Sequence, residues 1–166
     1  ASTGAERHRG CVQMTFSISR VAASLAGYLA PSFPGVTFYE DPNQQGSEPP
    51  MMFLQQRYAY TVRRLSGRVL RRIGLDLTYL LDYSLPDMQQ QYQAAAEALD
   101  MVMDSFPYTD DTGTTLILTH DREWRIDQDA MHYQFEIRVW VTLPEDFTPM
   151  ETMDYSEVVT DGTEKV

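Results

Sequence analysis

The chain is 166 residues long, with 43% hydrophobic and 22% charged residues and a formal net charge of -11 at pH 7. That length suits one domain around a single core, and the composition excludes wholesale disorder. No apolar run approaches the roughly 20 residues of a membrane-crossing helix, and the lone Cys11 excludes an internal disulfide and any multi-cysteine zinc site, so a cytosol-made protein without a membrane partner is expected.

Residues 1–13, ASTGAERHRGCVQ, are small and polar without a period, and Met14 behind them reads as a start. They are expected to be a leader outside the fold. From Thr15 or Ser17 as N-cap, Ile18, Val21, Ala22, Leu25, Tyr28 and Leu29 recur at spacings of three and four, which predicts an amphipathic helix closed by Pro31 and Pro34. VTFYE (36–40) predicts a short strand that the Pro-rich DPNQQGSEPP ends, and MMFLQ (51–55) predicts a second. From 57 onward Tyr58, Tyr60 and Val62 alternate with Arg57, Ala59, Thr61 and Arg63. Past Ser66-Gly67, Ile73, Leu75, Leu77, Tyr79 and Leu81 alternate with Arg72, Gly74, Asp76, Thr78 and Leu80, so the two runs predict an antiparallel hairpin.

A second helix is predicted with Ser84 as cap and Pro86 in its first turn. Its apolar stripe is Met88, Tyr92, Ala95, Leu99, Val102, Met103 and Phe106, and Pro107 with the loop YTDDTGT ends it. TLILT (115–119) reads as a strand, and HDREWRIDQDA as a polar link that extends it in part. Met131, Tyr133, Phe135, Ile137, Val139 and Val141 then alternate with His132, Gln134, Glu136, Arg138 and Trp140 in a long half-buried strand. Residues 14–143 are therefore expected to form one α+β domain of two layers, a mixed and mostly antiparallel sheet with two main helices on one face. Residues 144–166 are an acidic C-terminal extension, either disordered or laid on a neighbour.

Charge is divided along the chain. Residues 1–72 carry nine arginines against four acids, whereas residues 73–166 carry three arginines and Lys165 against twenty acids. The segment RYAYTVRRLSGRVLRR (57–72) alone holds six of the arginines: Arg57, Arg63, Arg64, Arg68, Arg71 and Arg72. Opposite charges on two faces favour head-to-tail self-association. Arginine without lysine suits bidentate carboxylate recognition. Arginines interleaved with tyrosines also suit nucleic acid, against which stand the acidic second half and a pI of about 4.5.

Chemistry is not signalled. His120 with Asp121 and Glu123, and His132 on the last strand, lack HExxH or HxH spacing, and no G-x-S-x-G, Walker or G-x-G-x-x-G motif occurs. Cys11, alone in a polar leader, is a weak nucleophile candidate. Neither catalytic residues nor a metal or other cofactor are expected.

The element order, together with Tyr39, Glu40, Gln44, Gln45, Gly46, Pro50 and Phe53 in YEDPNQQGSEPPMMF and with the strands DLTYLLDY and HYQFEIRVWV, resembles the tail terminator proteins of long-tailed bacteriophages and prophages, especially those infecting Gram-positive hosts, over about residues 14–155. The resemblance implies a structural virion protein and not an enzyme. Such proteins form a hexameric ring that caps the tail tube and joins it to the head connector, so the partners implied are further copies of the chain, the tail tube protein and a neck protein. Two alternatives stay open, another ring or tube component of the same particle and a nucleic-acid-binding protein. On the ring reading the six arginines face acids of the adjacent subunit, drawn from Asp121, Glu123, Asp127 and Asp129 or from the C-terminal extension, or they face a lumen through which DNA passes.

Overall fold

The computed structural model describes residues 16–40, 45–64, 68–127 and 129–142. The leader, the Ser66-Gly67 turn and the C-terminal extension lie outside the described residues.

Helix α1 (Ile18–Leu29) starts at Ser17, whose hydroxyl accepts the Arg20 backbone N–H at 3.3 Å, so Ser17 is the cap in use. A 3-10 turn with Pro31 closes it. Strand β1 (Thr37–Tyr39) runs parallel to β2 (Met51–Arg63), which forms a hairpin with β3 (Arg68–Leu80). Helix α2 (Met88–Val102) then carries the chain to the far edge, where β4 (Ser105–Asp110) and β5 (Gly113–Ile126) form a second hairpin. β6 (Met131–Thr142) returns between β5 and β3 and completes a sheet of order β1-β2-β3-β6-β5-β4. Every pairing except β1 with β2 is antiparallel.

Both helices cover the same face. Val21, Leu25 and Leu29 of α1 and Tyr92, Ala95, Ala96 and Leu99 of α2 share one core with Ile73, Leu75, Leu77 and Tyr79 of β3. Across β3, the partners Ile137, Phe135, Tyr133 and Met131 of β6 belong to that same core. Period-2 alternation leaves Arg72, Gly74, Asp76 and Thr78, with Arg138, Glu136, Gln134 and His132 opposite, on the face away from the helices. Polar ties set the helices in place: the Tyr133 hydroxyl donates to Asp100 Oδ1 at 2.7 Å, and Trp124 Nε1 to Asp100 Oδ2 at 3.1 Å. The Tyr92 hydroxyl accepts the Leu81 N–H at 2.9 Å.

Three local expectations are corrected. The strand at 51–55 and the first hairpin strand are one continuous strand, divided in sequence only because a bulge at Arg57 exchanges the faces of the alternation. Ser84 is not the cap of α2: its N–H is held by Asp82 Oδ1 at 3.0 Å in a turn before the helix, Asp87 occupies the cap position, and Pro86 precedes it. Helix α2 ends at Val102, and Phe106 lies instead on β4, which the sequence pattern presents as loop because of Pro107. An edge strand tolerates that proline because one side of its backbone needs no ladder partner. The expected partial extension of β5 into the polar link is observed, as far as Ile126 and with a bulge on the way.

Candidate interaction surface

The helix-free face of the sheet is shaped by two bulges. In β2, Gln56 pairs with Leu75 and Tyr58 with Gly74, so Arg57 is an extra residue. Strict alternation from Met52 and Leu54 would send Tyr58 and Tyr60 to the helix side; the bulge turns them onto the open face. Gly74 makes room for the result. A Cβ at that position would collide with the Tyr58 ring, so only glycine lets the ring lie against β3. In β5, Asp121 and Arg122 together oppose Phe135, and Asp121 takes a φ of 51°, a left-handed conformation that Asp tolerates better than most residues.

At the centre of this face sits Glu136, 2% exposed. Its carboxylate accepts the Tyr58 hydroxyl at 3.0 Å, Arg72 Nε at 3.1 Å and Arg138 Nε at 2.8 Å, with a second Arg72 nitrogen at 3.0 Å. Burial opposes ionisation of Glu136, but the bonds from Arg72, Arg138 and Tyr58 outweigh it and hold the carboxyl below its ordinary range. Tyr58 moves upward, through burial first and then through its bond to Glu136. One step along the sheet, the buried Asp76 accepts the Thr78 hydroxyl at 2.9 Å and Gln134 Nε2 at 3.1 Å, and meets His132 Nδ1 at 3.1 Å. The first network fastens β2, β3 and β6 together, and the second ties β3 to β6.

The arginines singled out from sequence divide into four groups. Arg72 is committed to Glu136, and its guanidinium also lies 5.1 Å from the Tyr60 ring. Arg57, at the bulge, and Arg63 lie on the stretch of β2 beyond the reach of β1, which pairs only with Met51 to Phe53. Arg64 and Arg68 close the hairpin through Arg64 N–H to Arg68 C=O at 3.0 Å, and the Arg68 guanidinium lies 4.8 Å above Trp140. Arg71 pairs with Thr61 and Val139 on the helix side, exposed beside the start of α1. Among the described residues none of Arg57, Arg63, Arg64, Arg68 and Arg71 forms an ion pair.

The acids expected to receive them lie at the other side of the sheet. β4 pairs with β5 only up to Leu118, so Asp121 and Glu123 stand on a stretch of β5 with no strand outside it among the described residues, and Asp127 and Asp129 come directly after. Asp121 is 3.6 Å from Arg138, and Asp127 is 3.6 Å from Arg125 and 3.4 Å from His132 Nε2. Glu123 and Asp129 form no ion pair among the described residues. His120 pairs with Glu136 and His132 with Arg125, four β6 residues away, about 13 Å along the strand, so the two histidines do not converge.

Sequence reasoning missed Glu136 and Asp76, the two anchors of the face. The available signal was local: Glu136 and Arg138 are two apart on an alternating strand, hence on one face, and Gly74 interrupts an otherwise bulky strand. The rest of the face is apolar and open. Trp140, Leu116 and Leu118 are 49%, 63% and 54% exposed, around a hollow of about 530 Å³.

Residues 20–149 match a protein-family model described as "Phage tail terminator protein". No curated protein matches the chain.

Proposed function

This chain belongs to the phage tail terminator protein family and is thus a structural component of the phage tail, and on that footing we propose that copies of it close into a ring, six-membered as the sequence resemblance implies, which ends the tail tube and joins it to the neck. The observation that carries this reading is the distribution of charge between two strand edges that have no strand outside them among the described residues. One edge is β2 beyond Phe53, with Arg57 and Arg63; the other, three strands across the same sheet, is β5 beyond Leu118, with Asp121, Glu123 and nearby Asp127 and Asp129. An exposed edge recruits a neighbouring strand. The β2 edge carries arginines without an acid, while the β5 edge, on which Arg122 and Arg125 also stand, keeps Glu123 and Asp129 outside any ion pair among the described residues. That asymmetry makes the contact heterologous, which generates a closed ring when the rotation per subunit is right. Work is done by contact, and no residue of the face is asked to perform a reaction.

Electron microscopy of the purified protein tests the ring directly. Closed rings of uniform diameter are expected. Long cylinders would instead identify a tube component, and monomers at micromolar concentration would overturn the reading. The double substitution R57E/R63E is expected to lower the oligomer to monomer in sedimentation, because it places like charges on both edges. Should the ring lumen be lined by arginine, duplex DNA will bind at low salt with a steep loss as salt rises.

A further inference from the structure

We infer that the arginine and tryptophan shelf at the hairpin tip is occupied by the chain's own C-terminal segment, residues 144–166. β6 ends beside the shelf, since Thr142, its last residue, pairs with Arg68. The chain therefore leaves the fold next to Arg64, Arg68 and Trp140, on a protein whose net charge is -11. The departing segment, PEDFTPMETMDYSEVVTDGTEKV, carries seven acidic side chains against Lys165. Glu145 and Asp146 come three and four residues after Thr142, about 10–13 Å of extended chain, within reach of a long arginine side chain. Phe147, directly behind them, supplies an aromatic group for the exposed Trp140 ring.

Three occupants compete for this shelf, and the tether decides among them. A segment leaving the fold a few ångströms away has an effective concentration in the millimolar range, above that of any free partner. A polyanion would have to displace seven acidic side chains held by that tether. A neighbouring subunit's acids meet instead the edge residues Arg57 and Arg63, which lie farther from the end of β6 or on the other face of the hairpin. Register sets the partition: edge arginines for the neighbour, tip arginines for the chain's own end. The inference does not require the ring, and the two readings fail by different measurements.

The test is energy transfer from Trp140 to an acceptor on S156C, in the full chain carrying C11S, with W140F as the control for Trp124. Trp140-dependent transfer is expected at low salt, falling several-fold in about 0.5 M salt. It is also expected to fall several-fold in R64E/R68E and in E145Q/D146N, the second of which changes no residue of the folded sheet. Transfer that is absent, or that neither pair of substitutions changes, overturns the inference. Transfer that is lost on adding an excess of unlabelled chain places another copy's segment on the shelf and overturns it as well. The oligomeric state of R57E/R63E reports the ring separately.

Discussion

At the scale of single residues, the carboxylate of Glu136 is the most consequential group on the open face. It is buried, and two guanidiniums and a tyrosine hydroxyl meet there across three strands. Charge-assisted bonds are stronger than neutral ones, and a buried group stripped of its partner is expensive. E136Q is expected to lower unfolding stability by about 1–3 kcal/mol, measured by urea denaturation, with both arginines relaxing into solvent. The direction of the shift sets the pH dependence. A carboxyl held low in the folded state contributes stability above its unfolded pKa, about 4.3, and loses that contribution as pH falls through its lower folded value. The wild type should therefore lose stability below about pH 4 more steeply than E136Q. Gly74 offers a second test. G74A forces the Tyr58 ring away from β3 and is expected to destabilise by about 1–3 kcal/mol in the wild type, whereas in a Y58A background, where the ring is gone, the same change should cost little.

At the scale of elements, both helices, the hairpin and the final strand were legible in the sequence because each carries a clean period in a single stretch. Ile18 to Leu29 and Met88 to Val102 repeat at helical spacing, and Met131 to Val141 alternates throughout. What resisted reading has physical causes. β4 is a short edge strand holding a proline, so nothing in SFPYTD distinguishes it from a helix end followed by a loop. The bulge at Arg57 hides the continuity of β2, because an inserted residue changes which positions face the core. The arginine cluster was legible, but its division among internal pair, edge and tip depends on register, which the sequence does not display. Deleting Arg57 tests the role of the bulge. Its removal lets Gln56 opposite Leu75 be followed directly by Tyr58 opposite Gly74, so both tyrosines keep to the open face and ultraviolet titration should still show the Tyr58 phenol shifted upward; a phenol returned to its ordinary range would show that the bulge itself is needed for the bond to Glu136.

At the scale of the whole molecule, the acidic net charge and the arginine-rich hairpin cease to conflict. The surplus of acid lies on the second half of the chain, while Arg57, Arg63, Arg64 and Arg68 lie at one edge and the tip of one hairpin, so on the proposed reading the acidic regions and these arginines are complementary surfaces. Ring formation through opposed edges should weaken as salt rises, because the pairing charges stand at the surface. The most direct measurement is sedimentation of four versions of the full chain: wild type, R57E/R63E, E123R/D129R, and the chain carrying all four changes. Opposed-edge assembly predicts rings for the wild type and for the fourfold exchange, which restores opposite charges across the contact, and dissociated subunits for each double variant. Rings of unchanged mass in both double variants would contradict it.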